Sequence, residues 1–221
     1  MSDEIVISIA TIPDIDALRV IHQLGDLSDE GVLNAAMHLH NQQSGSRVLP
    51  LYQQQIISLA VVKRSPLNKV TIQCLDSQLH DEAVLLKQLD KLMGENAKII
   101  AWKMSTHEWP LIYYRLLKHG ITSKNMQGAS SIDLSKKLSN NQQSACADWV
   151  GLASSLGFPT SAQLSHQETI NCYVNDALDI VHESNQTRAL NIYQIYLRDQ
   201  LINAELSADE YQSICESLRD A

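Results

Sequence analysis

The amino-acid sequence predicts an α/β fold in which a mixed β-sheet is followed by a helical C-terminal half. Early in the chain, short apolar runs are separated by turn residues, which is typical of adjacent antiparallel strands. A strand–helix–strand order follows and favours parallel strands. The remainder of the chain shows helical periodicity.

The predicted strands are short and rich in β-branched and aliphatic residues. Residues 5–9 form the first strand, in which Ser8 is the only polar position. The other predicted strands cover residues 55–63, 69–75, 97–104 and 132–134, the last of them at an edge. Because only the turn-forming residues 65–68 separate the second strand from the third, we expect these two to pair antiparallel.

The predicted helices have recognisable start and stop signals. Asp14 can cap a short first helix, and Gly120 is placed to end a helix over residues 108–118. Residues 17–40 are predicted to be helical in patches broken by Gly25 and Gly31, and residues 41–47 to be a loop. Further helices are predicted over residues 81–93, 143–156, 167–198 and 208–219, with Ala189, Ile192, Tyr193 and Tyr196 on one buried face.

Length and composition indicate a folded chain, with one domain over residues 1–221 or, as the alternative, two small domains. Hydrophobic residues make up 44% and charged residues 19% of the chain, so a packed core can form. We expect no signal peptide and no transmembrane segment, because the apolar runs are short and the first residues are acidic. The four cysteines form no C-x-x-C pair, which favours reduced thiols and a cytoplasmic location.

The formal net charge of −8 argues against binding nucleic acid by bulk charge. Each phosphate that a protein neutralises needs its own cation, and the chain has 17 Lys and Arg against 25 Asp and Glu. A local basic groove remains compatible with this composition.

The common catalytic motifs are absent from the sequence, including a Gly-rich phosphate loop, G-x-S-x-G and H-E-x-x-H. Another pattern is present in several separate segments. They are residues 8–14 (SIATIPD), 101–110 (AWKMSTHEWP), 114–121 (YRLLKHGI), 156–159 (LGFP), 193–198 (YQIYLR) and 206–211 (LSADEY).

Together these segments resemble the bacterial 3′-5′ exonuclease family related to the proofreading domain of family B DNA polymerases. The resemblance covers residues 5–219. It implies a ribonuclease H-like fold with a mixed sheet of about five to six strands flanked by helices. It also implies four carboxylates that hold two divalent cations about 4 Å apart, with a tyrosine that positions the attacking water.

The resemblance also implies that this chain has lost most of those groups. The first family motif, Asp-Ile-Glu-Thr-Ile-Pro-Asp, has Ser8 and Ala10 in place of its two metal-binding acids. In the second motif Lys103 replaces an Asn, and Glu108 replaces an Asp as the one acid that is retained. In the third motif Ser184 replaces the Tyr and Arg188 the Asp. We therefore expect no intact catalytic set, no bound metal and no cofactor; Mg²⁺ or Mn²⁺ would be needed only by an active enzyme.

The substitutions lead to a hypothesis about charge. We expect Glu108 to form an ion pair with Arg188 or Lys103, whose positive charge then replaces that of the metals. Lys103 and Arg188 are also the candidates for binding nucleic acid, because Lys and Arg are the usual protein ligands of phosphate.

Three functions remain open from the sequence. The first is a non-catalytic domain that binds single-stranded nucleic acid or a protein partner, with no membrane role. The second is an active 3′-5′ exonuclease on single-stranded DNA or RNA with an unusual metal site. The third is an unrelated α/β enzyme, in which the matching segments are accidental.

Overall fold

A mixed β-sheet lies at the centre of the molecule. The computed structural model describes residues 2–76, 81–94, 96–160 and 163–219. Within them the strands are β1 (Glu4–Pro13), β2 (Gln54–Arg64), β3 (Val70–Asp76), β4 (Lys98–Ala101) and β5 (Ser130–Asp133). Their order in the sheet is β3-β2-β1-β4-β5. β3, β2 and β1 pair antiparallel, whereas β4 and β5 add parallel to β1. The mixed sheet predicted from the sequence is confirmed.

The helices surround the sheet and dominate the second half of the chain. They are α1 (Ile15–His22), α2 (Asp29–Ser44), α3 (Glu82–Met93), α4 (Trp109–His119), α5 (Asn125–Gly128), α6 (Leu134–Leu138), α7 (Trp149–Ser155), α8 (His166–Val174), α9 (Leu178–Ile202) and α10 (Ala208–Arg219). A π-helical turn, Met104–Glu108, precedes α4, and short 3₁₀ turns occupy Leu51–Gln53 and Gln143–Ala145. None of the described helices is both long and apolar enough to cross a membrane.

Several predicted boundaries are wrong, each for a local reason. Gly31 does not break a helix: it lies in the first turn of α2, where its N–H donates to the capping Ser28 side chain. α2 then continues to Ser44, through half of the segment predicted as a loop. The strand predicted over residues 97–104 ends at Ala101, because Trp102 and Met104 are buried in a turn that sends them into two different core clusters.

Two predicted helices are interrupted. Residues 143–156 contain a 3₁₀ turn and then α7, which begins where the Asp148 side chain accepts from the Gly151 N–H. Residues 167–198 form α8 and α9, separated at Asp176, whose φ of 56° is left-handed. Asp adopts this conformation more readily than most residues, so the helix can end there. The apolar periodicity continues on both sides of the break, and the sequence pattern therefore does not reveal it.

Alternation along β1 separates the core into two layers. Ile5, Ile7 and Ile9 face the layer that contains α3 and α4. Val6 faces the opposite layer, where α9 contributes a buried face of Ala189, Ile192, Tyr193 and Tyr196 as predicted. Ser8 and Ala10 have the same parity as Val6, so they point toward α9.

A buried ion cluster connects the C-terminal end of β1 to α3 and α4. Arg115, which is only 1% exposed, places Nη1 2.7 Å from Asp14 Oδ2 and Nε 2.7 Å from Glu82 Oε1. Lys118 also contacts Asp14, and His119 contacts Glu82. Asp14 in addition caps α1, as predicted, by accepting from the Ala17 N–H. Burial alone would raise the pKa of Asp14, but the hydrogen bonds from Lys118, Ala17 and Arg115 lower it below its ordinary value.

We predict that Arg115→Met lowers the free energy of unfolding by about 3–5 kcal/mol, because two buried carboxylates lose their shared cation. Urea denaturation at neutral pH measures this change. Asp3→Asn removes a half-buried ion pair with Lys63 and is the matched control, with an expected cost below about 1 kcal/mol. Equal effects of the two substitutions would contradict a central role for the cluster.

Candidate functional site

A cavity of about 230 Å³ lies beside the C-terminal half of β1, among α7, α8, α9 and the π-helical turn. It brings together the residues that the sequence placed in three separate motifs. Ala10, Ser184 and Arg188 line the cavity. Ser8 lies beneath it, and Glu108 contacts Arg188. The five substituted positions therefore form one site, although they are separated by up to 180 residues in the chain.

Ser8 is held by hydrogen bonds to Asn185. Its Oγ donates to Asn185 Oδ1 at 2.6 Å, and Asn185 Nδ2 donates to the Ser8 carbonyl at 3.1 Å. The same Asn185 amide donates to Ser58 Oγ, also at 3.1 Å. Ser8 and Ser58 are fully buried, so these bonds satisfy polar groups that water cannot reach. A small neutral network thus surrounds Ser8, the position at which the resemblance implies the first family acid.

Ala10 lies where β1 is irregular. The pairing of β1 with β2 shifts register between Ala10 and Thr11. A bulge of this kind turns side chains away from the regular alternation and is common beside functional sites. Ala10, at which the resemblance implies the second family acid, supplies only a methyl group here.

Glu108, which the resemblance implies is the one retained acid, is positioned by the chain that follows the end of β4. The chain leaves the strand at Ala101 and forms the π-helical turn, in which the Ser105 N–H donates to Asp133 Oδ2 at 2.9 Å. Pro110, in the first turn of α4, starts the regular helix immediately after Glu108. Glu108 points inward and is 0% exposed. π-helical turns are rare and occur often at functional sites.

The ion pair predicted for Glu108 is present with Arg188. Arg188 Nη2 lies 3.4 Å from Glu108 Oε1. Arg188 is on α9, one turn after Ser184, and its guanidinium lies 5.6 Å from the centre of the Trp149 ring. Its side chain is 23% exposed, so one part faces the cavity. Burial lowers the pKa of Arg188, and the Glu108 carboxylate opposes that shift.

Two histidines that the motifs did not identify also line the cavity, His107 and His166. Burial lowers the pKa of His107, and the charges of Arg188 and Lys103 add to this shift, whereas Glu108 opposes it. Burial, followed by the charge of His107, lowers the pKa of His166. Both shifts favour the neutral form of the ring. His107 adjoins Glu108 in the second motif, which is the one sequence signal that could have identified it.

Ser184 and Lys103 have different environments. Ser184 is buried, and its Oγ accepts a hydrogen bond from the Leu164 N–H at 3.1 Å. The side chain at which the resemblance implies the family tyrosine is therefore bonded to the segment before α8. Lys103 is exposed at the end of β4 and is not among the residues that line the cavity. Its charge nevertheless acts on His107.

The residues present do not fit the pair of divalent cations that the fold family implies. Hard cations such as Mg²⁺ require several oxygen ligands, usually carboxylates. Here Glu108 is the single acid, and a guanidinium already contacts one of its oxygens. Across the described part of the chain, no group of three or more His, Cys, Asp or Glu side chains is arranged to hold a metal ion.

We predict that Arg188→Met lowers the free energy of unfolding by about 3–5 kcal/mol, since Glu108 then stays buried without a cation. Adding Glu108→Gln to this variant should recover at least about 1 kcal/mol. Urea denaturation of the two single variants and the double variant measures the coupling. Additive effects within about 0.5 kcal/mol would contradict the pairing.

The comparisons with known proteins concern the family and the fold of this chain. A sequence profile described as “predicted 3′-5′ exonuclease related to the exonuclease domain of PolB” matches residues 46–130 and 124–221. No curated protein sequence matches the chain significantly. The family B DNA polymerase from the hyperthermophilic archaeon Pyrobaculum calidifontis has a similar fold, with a TM-score of 0.55 and 9% identity over 89% of this chain.

The chain spans 25% of that polymerase's length, and at this identity the likeness concerns the fold alone. The ribonuclease H-like α/β fold expected from the sequence is confirmed. The alternative that the matching segments are accidental is wrong, because the profile covers most of the chain. This chain belongs to the family of predicted 3′-5′ exonucleases related to the exonuclease domain of PolB.

Proposed function

We propose that this chain is a non-catalytic member of its exonuclease family that binds the phosphate backbone of single-stranded nucleic acid. In this proposal residues 1–221 act as one cytoplasmic domain. The observation that carries the proposal is the contact between Arg188 and Glu108 in the cavity, with Ser8 and Ala10 at the other acid positions. A cation from the protein itself takes the place of the metals.

The loss of cleavage follows from what two metals supply. They activate a water molecule and stabilise charge on both the attacking and the leaving oxygen of the phosphate. Arg188 supplies positive charge but cannot lower the pKa of a water in the same way. Ser184 stands where the resemblance implies the tyrosine that positions the water. Its hydroxyl oxygen accepts a hydrogen bond from the Leu164 N–H. In this proposal, therefore, no side chain of the site takes over the activation and positioning of the attacking water.

Phosphate binding follows from what remains. Arg188 is partly exposed to the cavity, and a guanidinium donates to phosphate oxygens in a forked geometry. His107 and His166 line the same cavity and can each donate one ring N–H while neutral. At about 230 Å³ the cavity is below the usual range of small-molecule pockets, roughly 300–1,000 Å³. It suits one phosphate group with its sugar and excludes a duplex.

Glu108 sets a limit on this binding. Its carboxylate is buried beside Arg188 and repels any phosphate that approaches the same guanidinium. Arg188 must therefore share its donors between Glu108 and the strand. This competition makes Glu108 a residue that weakens the binding of a strand.

One observation favours the second candidate, an active exonuclease with an unusual metal site. Glu108 Oε2 is buried and has no hydrogen-bond partner within the described residues. A bound cation could satisfy that oxygen. The experiment below separates the two functions.

We predict that the purified chain gives no stoichiometric heat with Mn²⁺ in calorimetry and does not shorten a 5′-labelled single strand in the presence of that metal. The reason is the shortage of carboxylates in the cavity. A variant that restores the acids, Ser8→Asp, Ala10→Glu and Arg188→Asp, should gain Mn²⁺ binding. The restored variant with Glu108→Ala is its control and should lose that binding.

Shortening by the unmodified chain would overturn the proposal if Glu108→Ala abolished it. If the restored variant is folded by circular dichroism and still binds no Mn²⁺, the four positions are not equivalent to the family's metal site.

We predict that the chain binds a fluorescent single strand of about 15 nucleotides in EDTA, with an affinity that falls as salt rises. Glu108→Gln should bind more tightly, because it removes the repelling carboxylate. Adding Arg188→Gln should weaken binding about tenfold relative to Glu108→Gln and reduce the salt slope by about 0.7. Fluorescence anisotropy measures both quantities.

Lys91→Gln is the matched control for this experiment, because Lys91 is exposed on α3 outside the cavity. Lys103→Gln tests the second cation predicted from the sequence and should weaken binding in the same direction. Equal affinities of Glu108→Gln and the double variant would contradict phosphate binding by Arg188.

A further inference from the structure

A second, larger cavity lies next to the cavity that Arg188 lines, but different residues form it. It has a volume of about 520 Å³ and lies where β1 ends, between the α1–α2 hairpin and α8. Its apolar surface comes from Ile12, Pro13, Ile15, Leu33, Ile170 and Val174. We call it the α2–α8 groove.

The groove has a buried floor and an open rim. Ile12 and Ile170 are 3% and 4% exposed and belong to one core cluster. Val174 at the end of α8 is 72% exposed, and Tyr173 beside it is 41% exposed. An apolar surface that begins in the core and continues to solvent is typical of a binding groove.

Two stretches of chain that contribute residues to this groove are strongly acidic. Residues 14–30, which contain α1 and the start of α2, have five acids and one Arg. Residues 163–187, which contain α8 and the start of α9, have four acids and no Lys or Arg. These two stretches carry the whole formal charge of −8, and the rest of the chain has equal numbers of acids and cations.

Part of this charge is not neutralised within the protein. Asp14 is paired with Arg115, and Asp29 is paired with Arg19. Glu30 lines the groove and is exposed. Like Asp16 and Asp26, it makes no ion pair in the part of the chain that the structure describes. The lining of the groove contains Asp29 and Glu30 but no Lys or Arg.

We propose that the α2–α8 groove binds a basic amphipathic helix of a partner protein. Apolar side chains of such a helix would fill the groove at steps of three and four residues, and its Lys or Arg side chains would face the acidic rim. The negative field repels the phosphates of nucleic acid. It also repels a second copy of this chain, because a two-fold interface would bring the same acidic surface against itself.

The probe is a synthetic helical peptide of about 18 residues with Leu on one face and Lys on the other, labelled for fluorescence anisotropy. A peptide of the same pattern with Glu in place of Lys is the opposite-charge control. We expect the Leu–Lys peptide to bind with an affinity that falls as salt rises, and the Leu–Glu peptide to bind at least about a hundredfold more weakly.

Two pairs of variants locate the binding site on the protein. Val174→Asn should weaken the Leu–Lys peptide about tenfold, whereas Leu67→Asn should not, because Leu67 is exposed in the β2–β3 turn at the other end of the sheet. Glu30→Lys should weaken it about fivefold. Asp209→Lys is the matched control, since Asp209 is also an exposed acid in the first turn of a helix.

Three results would overturn the proposal. One is equal weakening by the groove variants and their controls, which would mean non-specific attraction. Another is weaker binding of a labelled single-stranded oligonucleotide, without the peptide, by Val174→Asn than by Leu67→Asn, which would assign the groove to nucleic acid. The third is a dimer in sedimentation that Val174→Asn dissociates, which would make a second copy the occupant. None of these results depends on Arg188, so they are distinguishable from failure of the proposed function.

Discussion

Strand β1 is buried on both faces, and this constraint arranges the rest of the molecule. Its odd-numbered isoleucines pack toward α3 and α4, which leaves Val6, Ser8 and Ala10 to face α9. Because a one-residue slip would exchange the two faces, the register is fixed by the core. The Arg115 cluster at the end of the strand adds a polar constraint, since its buried carboxylates need that cation. The position of the cavity follows from these two features.

The same rule about buried charge explains the contact between Glu108 and Arg188. An acid that is removed from water needs either a metal or a protein cation, and Glu108 has Arg188. Ser8 and Ala10 carry no charge and need no cation, and a neutral amide from Asn185 satisfies the polar groups of the serine. Ser8 and Arg188 therefore have partners in their surroundings, whereas Glu108 Oε2 has none among the described residues. The two partnered positions support the proposed non-catalytic role.

The two proposed binding surfaces differ in sign. Positive charge from Arg188 enters the small cavity, whereas the α2–α8 groove lies in the part of the chain that carries the negative charge. Both lie along the C-terminal half of β1 and share α8 as a wall. A domain with this arrangement could hold a strand and a basic partner at neighbouring positions without competition for the same residues.

The sequence by itself determined the mixed sheet and the helical second half, whereas the positions at which the family acids are replaced stay a prediction. Alternation, turn residues and motif spacing are local, so they are visible in a chain of letters. It also limited the ion-pair partner of Glu108 to Arg188 or Lys103. Only the tertiary structure shows that the partner is Arg188. The break at Asp176, the π-helical turn before Glu108, and the roles of Asn185, His107 and His166 were decided by packing. Such contacts join residues that are distant in sequence, and burial and distance, which set their strength, exist only in the folded chain.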